Sequence, residues 1–496
     1  MRNRVYWSFL IGSFLIGALL SACSVGPSFE RPEAHLPDQW RGDSGAAQAE
    51  GATEVDAEWW NLFGDPQLNE LIEQARKNNL DLQVAALRVA EARAQRSIAT
   101  GGRWPSVNAS GSYQRQRQSE VGVNTRLISI IGPPGNRDQI ISALSEPFDV
   151  YQAGFDASWE LDLWGRVRRS VESADANVAA SHEDLHDAEL TLIAEVARTY
   201  LQLQGVRDQL RIARDDVAAG ADQLQLTEYR VKGGLVTELD RNVQQAQLAD
   251  VRAQIPTLEQ QETELQNALA LLLGADPYSL RETAGASIST LAAATIPATG
   301  VPSELARRRP DIRRAEAQLH AATAEIGVAA ADLYPRVSLT GSFVQQSLEA
   351  SDFAEWGARQ WVVGPSISLP IFQGGRLREV VELRKLQQQQ AAVNYQRTVL
   401  KAWHEIENSL SAYAAEKRRN QELANVLTAS RAAYEIAHVR YQHGLTNYLV
   451  DLDAHRTLLQ AERAYSQSNT QIGTQLIALC KALGGGWSDS VSSASK

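Results

Sequence analysis

In Tyr151-Gln152-Ala153-Gly154-Phe155-Asp156-Ala157-Ser158-Trp159-Glu160-Leu161-Asp162-Leu163 every odd position is apolar and every even one is polar or Gly. A period of two sustained this long predicts a β-strand with one apolar and one polar face. Upstream, Val107, Ala109, Gly111 and Tyr113 alternate with Asn108, Ser110, Ser112 and Gln114. Downstream, Val337, Leu339 and Phe343, and then Trp361, Val363, Ile367, Leu369 and Ile371, repeat the scheme. A single hairpin of this kind reads as a half-buried soluble sheet, so the surrounding chain decides what four such strands are for.

Outward from the strands, the sequence is one design written twice. Gly165-Arg166 matches Gly375-Arg376, Gly234-Leu235 matches Gly444-Leu445, and Leu273-Gly274 matches Leu483-Gly484, all at an offset of 210. Asp81 and Asp311, Pro105 and Pro335, and Val107 and Val337 differ by 230, so the first copy carries 20 extra residues between Pro105 and Gly165. Arg166 to Lys232 and Arg376 to Gln442 contain no proline and are rich in good helix formers. At ~1.5 Å per residue each would make a helix roughly 100 Å long. Val196, Leu203, Leu210, Val217, Leu224 and Val231 recur every seventh residue, as do Val171, Val178, Leu185 and Leu192. Sustained heptads predict coiled-coil packing. Shorter return helices are expected over Glu238 to Leu273 and Tyr448 to Leu483, the first bent at Pro256.

The N-terminus reads as an export signal. Arg2 and Arg4 precede an apolar stretch from Phe9 to Leu20, long enough for a signal core and too short for a span. Leu20-Ser21-Ala22-Cys23 has the form of a bacterial lipobox, which predicts a lipidated Cys23 and outer-membrane destination, since Ser24 stands where an Asp would retain the protein in the inner membrane. The expected organisation is a signal peptide (1–22), an extended tether (23–58), a first repeat (59–274, strands within 106–164), a linker (275–303), a second repeat (304–484, strands within 336–371) and a tail (485–496).

Composition narrows the function. With 44% hydrophobic and 22% charged residues the chain is not disordered. Its 48 Lys and Arg against 59 Asp and Glu, a formal net charge of −11, make it a poor partner for nucleic acid. Two cysteines exclude a disulfide framework and a zinc ribbon. Beyond the signal no apolar run is long enough for a transmembrane helix. Four strands of ~10 residues in an exported lipoprotein do fit lipid-facing barrel strands. Four cannot close such a barrel, and lipid tolerates no open edge, so assembly with further copies is expected.

Trp59-Trp60, Asp65-Pro66, Arg308-Arg309-Pro310-Asp311-Ile312, Tyr334-Pro335, Phe372-Gln373-Gly374-Gly375-Arg376 and Leu483-Gly484-Gly485-Gly486-Trp487 complete the pattern. Together with the lipobox, the duplication and the long helices, they resemble the TolC-like outer-membrane efflux channels (outer-membrane factors), and most closely the lipidated NodT branch. The resemblance covers essentially the whole mature chain. It implies a mainly α fold with β: duplicated long-helix coiled-coil hairpins in a periplasmic α-barrel, and four strands per chain in a trimeric 12-stranded outer-membrane β-barrel. It further implies a homotrimer acting as a passive duct for drugs or other small molecules, docked on a periplasmic adaptor and an RND-type inner-membrane pump, with no cofactor.

Three sets of residues are singled out. His182-Glu183-Asp184-Leu185-His186 matches H-E-x-x-H and keeps an exported zinc metallopeptidase as the alternative. Against it, Leu185 belongs to a heptad row and no third ligand is evident, so no catalytic or metal residue is assigned. Leu449, Asp453 and Arg456 fall on one helical face, which from the residues alone reads as a solvated face. The resemblance implies a periplasmic gate there, although Thr446 replaces the Arg of the TolC branch. The turns Gly233-Gly234-Leu235-Val236 and Gly444-Leu445-Thr446 place apolar residues at helical tips and are the expected adaptor-docking sites.

Overall fold

The computed structural model describes residues 24–32, 58–131, 135–277, 279–280 and 308–485. The signal segment, Cys23, the loop at Gly132-Pro133-Pro134, most of the linker and the tail from 486 lie outside the described residues. The chain divides into two units, each passing through both repeats.

The first unit takes in the N-terminal stretch to Glu30, Arg93–Asn177 and Leu319–Gln390. Its centre is an antiparallel sheet of β1 (Ser106–Gln116), β2 (Phe148–Leu161), β3 (Arg336–Ser347) and β4 (Arg359–Ser368), in that order. Register decides the chemistry of its faces. Phe155 pairs with Ala109 and Phe343, and Phe343 with Trp361; one step along, Asp156 pairs with Asn108 and Ser342. Because side chains alternate, Val107, Tyr151, Phe155, Trp159, Leu339, Phe343, Trp361 and Ile367 share one face, and Asn108, Gln152, Asp156, Ser338, Ser342 and Ser366 the other. The apolar face is uncovered in the single chain: Phe155, Trp361 and Ile367 are 59%, 67% and 69% exposed.

β2 ends two residues before its alternation runs out. Asp162 is recruited as a helix cap, accepting from the amides of Val167 (3.0 Å) and Arg168 (2.8 Å). β4 stops at Ser368, two residues before Pro370. The extra residues of the first copy form two short helices, α3 (Val123–Ile131) and α4 (Arg137–Leu144), for which the sequence reading had no signal.

The second unit takes in residues 31–92, 178–318 and 391–496. It holds α1 (Pro66–Asn78), α6 (Glu238–Leu272), α9 (Tyr448–Ala482) and most of the two long helices, α5 (Arg166–Lys232) and α8 (Arg376–Gln442). α2 (Leu80–Gly101) and α7 (Pro310–Ala331) pass, like the long helices, from one unit to the other. The long helices begin and end where the sequence predicts. Trp59 and Trp60 anchor the core, together with Leu68 and Ile72 of α1, Ile193, Val196, Tyr200 and Leu203 of α5, Leu269 of α6, and Ile472, Leu476 and Cys480 of α9. Asp65 caps α1 ahead of Pro66 and also accepts a hydrogen bond from the Tyr200 hydroxyl. Arg309 is buried and donates to the Ala482 carbonyl (2.8 Å), to both oxygens of Asp311 and to Glu405 (2.8 Å), so one guanidinium ties together α7, α8 and the C-terminus of α9.

Candidate functional site: helical tips and gate

Both hairpins turn by the same device. Gly234 and Gly444 have φ of +70° and +72°, which an L side chain adopts only with strain. The amides of Gly234 and Leu235 donate to Val231 (2.9 Å) and Arg230 (2.9 Å); those of Gly444 and Leu445 donate to Tyr441 (3.0 Å) and Arg440 (2.8 Å). Each is a Schellman cap that satisfies carbonyls left over at a helix end. The return helices are then capped by Thr237, in a capping box with Asp240, and by Asn447, which accepts from Val450 (3.2 Å). The cap places Leu235 and Leu445 in the open, 77% and 68% exposed. Gly233, Gly234 and Gly444 are exposed beside them, and Val236 and Thr446 are half-buried.

One turn into α9, Leu449 and Asp453 are exposed on a common face. Among the described residues no side chain engages the Asp453 carboxylate. Arg456 does not turn to it: its Nε (2.8 Å) and Nη2 (2.5 Å) both donate to Oε1 of Gln247 on α6. Tyr448, buried beneath, donates to Gln244 of α6, and burial pushes its phenol well above the usual range. α9 is thus tied to α6 by two glutamines 3 residues apart, contacts that the sequence reading did not find.

The residues facing away from Leu449 and Asp453 were also missed. Asp451, rotated out of the candidate gate face, is buried against His438 of α8, with Nδ1 to Oδ1 at 3.3 Å. His455 approaches Asp216 of α5 (3.6 Å) and stacks on Tyr434 of α8, with ring centroids 4.9 Å apart. The signal was available as two spacings of four, Tyr434/His438 and Asp451/His455, on consecutive helices of one hairpin.

The H-E-x-x-H stretch has a different use. Glu183 is buried, held by Arg313 (2.9 Å) and His186 (3.3 Å), and Asp184 pairs with Arg314 (2.6 Å). A carboxylate held by a guanidinium makes a poor general base, and these pairs join α5 to α7. Among the described residues no group of three His, Cys, Asp or Glu side chains is arranged to hold a metal ion. Cys23 lies outside the described residues, but its neighbour Ser24 is placed: Val25 donates to the Trp164 carbonyl (3.1 Å), and Ser24 packs at Gly165, where β2 gives way to α5.

The family model described as outer membrane efflux protein matches residues 71–275 and 301–485. Outer membrane protein OprJ of Pseudomonas aeruginosa is 34% identical over 97% of either chain. The pyoverdine export outer membrane protein OpmQ of Pseudomonas putida is 36% identical over 87% of this chain and 88% of its own. Among solved structures, the outer-membrane channel OprN aligns with a TM-score of 0.83 at 35% identity, covering 94% of this chain and all of its own. The Campylobacter jejuni CmeC outer membrane channel aligns with a TM-score of 0.84 at 25% identity, covering 94% of this chain and 96% of its own.

Proposed function

The chain belongs to the outer membrane efflux protein family, and on that premise we propose that it works as a homotrimeric exit duct that carries small molecules, drugs among them, out of the cell. The observation that carries this reading is the sheet. Its apolar face suits lipid, its polar face suits an aqueous lumen, and β1 and β4 each leave an edge open. Three copies joined edge to edge supply twelve strands, within the range of closed outer-membrane barrels. The long helices extend the duct into the periplasm, and their tips at Leu235, Val236, Leu445 and Thr446 offer apolar contacts to a periplasmic adaptor that links the channel to an RND-type pump. Leu449 and Asp453, repeated around a threefold axis, form the proposed constriction, with Arg456 holding α9 in place through Gln247.

Lipidation of Cys23 completes the reading. In support, Ser24 sits beside Trp164 and Gly165, at the end of the strand whose apolar face is proposed to meet the membrane. The decisive experiment is the mass of the detergent-solubilised complex, where a trimer is expected and a monomer overturns the architecture. Acyl labelling should vanish in Cys23→Ser while trimers persist; labelling that survives removes the anchor.

A further inference from the structure

Below the candidate gate, three helices converge on a group of ionisable side chains that the duct itself does not require. Asp216 of α5 and Asp451 of α9 are both more than nine-tenths buried, and Oδ2 of Asp216 has no hydrogen-bond partner among the described residues. Each faces one imidazole: His455 Nε2 lies 3.6 Å from Asp216, and His438 Nδ1 lies 3.3 Å from Asp451. Tyr434 stands between the two rings, with centroids 4.9 Å from His455 and 5.3 Å from His438. The Gln442 side-chain amide is 2.9 Å from Nε2 of His438 and, by turning over, meets either a protonated or an unprotonated nitrogen there.

The neighbouring charges are mostly committed elsewhere. On α5, Asp208 and Asp215 pair with Arg211 (2.8 and 3.0 Å), and Asp208 also accepts from Ser466 (2.6 Å). Between α8 and α9, Arg431 pairs with Glu462 (3.0 Å). Arg463 favours the Asp216 carboxylate from a distance and Glu462 opposes it, while α6 presents the neutral Gln244 and Gln247. With neutral imidazoles, two carboxylates would therefore be buried without a cation in contact among the described residues, a costly state in a poorly hydrated setting.

We propose that His438 and His455 form a proton-operated latch: as imidazolium ions they hold α9 against α8 and α5, and as neutral rings they release it. The latch holds the tip of α9, which carries the proposed gate, and in that sense it rests on the reading above. The sign follows from the carboxylates. Burial pushes the Asp216 carboxyl up, so its negative charge is unwelcome, and either an imidazolium or a proton on the carboxyl relieves it. Both reliefs are present at low pH and are lost as pH rises. The tip should be held at pH 6 and loosened at pH 8.

Single-channel recording of the trimer in planar bilayers tests this. Resting open probability should be about five- to tenfold higher at pH 8 than at pH 6, the size of two partial charge contacts. His438→Gln with His455→Gln should flatten the pH response, with trimer mass unchanged. Asp216→Asn with Asp451→Asn should give the low value at both pH values, because the buried charge is gone. A parent without pH response, a Gln variant that keeps the parental slope, or an Asn variant that opens at pH 8 as the parent does would each overturn the latch. Leu449→Ala with Asp453→Ala separates the two readings. If that variant conducts like the parent while the histidine variant has lost its pH response, the gate assignment fails and the latch stands.

Discussion

Leu449 and Asp453 stand one helical turn apart on an open face of α9, one apolar and the other carrying a charge that no side chain among the described residues engages. Three such carboxylates in a narrow aqueous throat should concentrate cations, since low-dielectric walls focus the field of fixed charges. Asp453→Ala with Leu449→Ala should raise resting conductance, weaken cation preference and admit large antibiotics without a pump. Parental conductance and selectivity in that variant would return both residues to an ordinary solvated surface. Cys480 is a contrasting case. It is fully buried in the core, and burial pushes its thiol up to about 12. Because the thiolate is the reactive form, maleimide at pH 7 to 8 should leave it untouched in the folded trimer and label it after unfolding. Rapid labelling of native protein would show that the core opens at this end of α9.

At the scale of elements, the boundaries of α5 and α8 were legible to the residue because glycines mark them: Gly165 and Gly375 precede the helices, and Gly234 and Gly444 follow them, all with positive φ. The strands were equally readable from alternation, except at ends, where Asp162 caps a helix and β4 stops before Pro370. α3 and α4 were not legible, having no counterpart in the second copy and too few turns to show a period. The candidate site divides in the same way. That Leu449 and Asp453 share a face and that the tips turn at Gly follow from spacing and turn chemistry, while their gate and docking roles came only from the resemblance. The Gln247 partner of Arg456 and the Asp216 partner of His455 lie on helices distant in sequence, and spacing cannot name them. α6 runs on as one helix through Pro256, whose missing N–H leaves the Arg252 carbonyl short of its usual donor. Pro256→Ala should therefore stabilise the helix by about 1–3 kcal/mol, seen as slower amide exchange around 252–256. Unchanged exchange would mean that packing already compensates for the lost bond. At the tips, Leu235→Glu with Leu445→Glu should abolish drug efflux while trimer amounts hold; normal efflux would take these turns out of the adaptor interface.

For the whole molecule, the two copies agree in measure as well as in motif. α5 and α8 each have 67 residues, and α6 and α9 each have 35. Helix propensity asks for no such equality, and a coiled coil shortened by one heptad loses little of its packing. On the docking proposal, equal arms would offer an adaptor two tips at matching helix length. Removing one heptad from α5 and its facing turns from α6 should leave trimers intact yet stop efflux, and the same cut in α8 and α9 should restore it. Full efflux from the single cut would refute this. If so, arm length is itself an inherited quantity in this chain: an insertion or deletion in one arm should be tolerated only when the other arm acquires its twin.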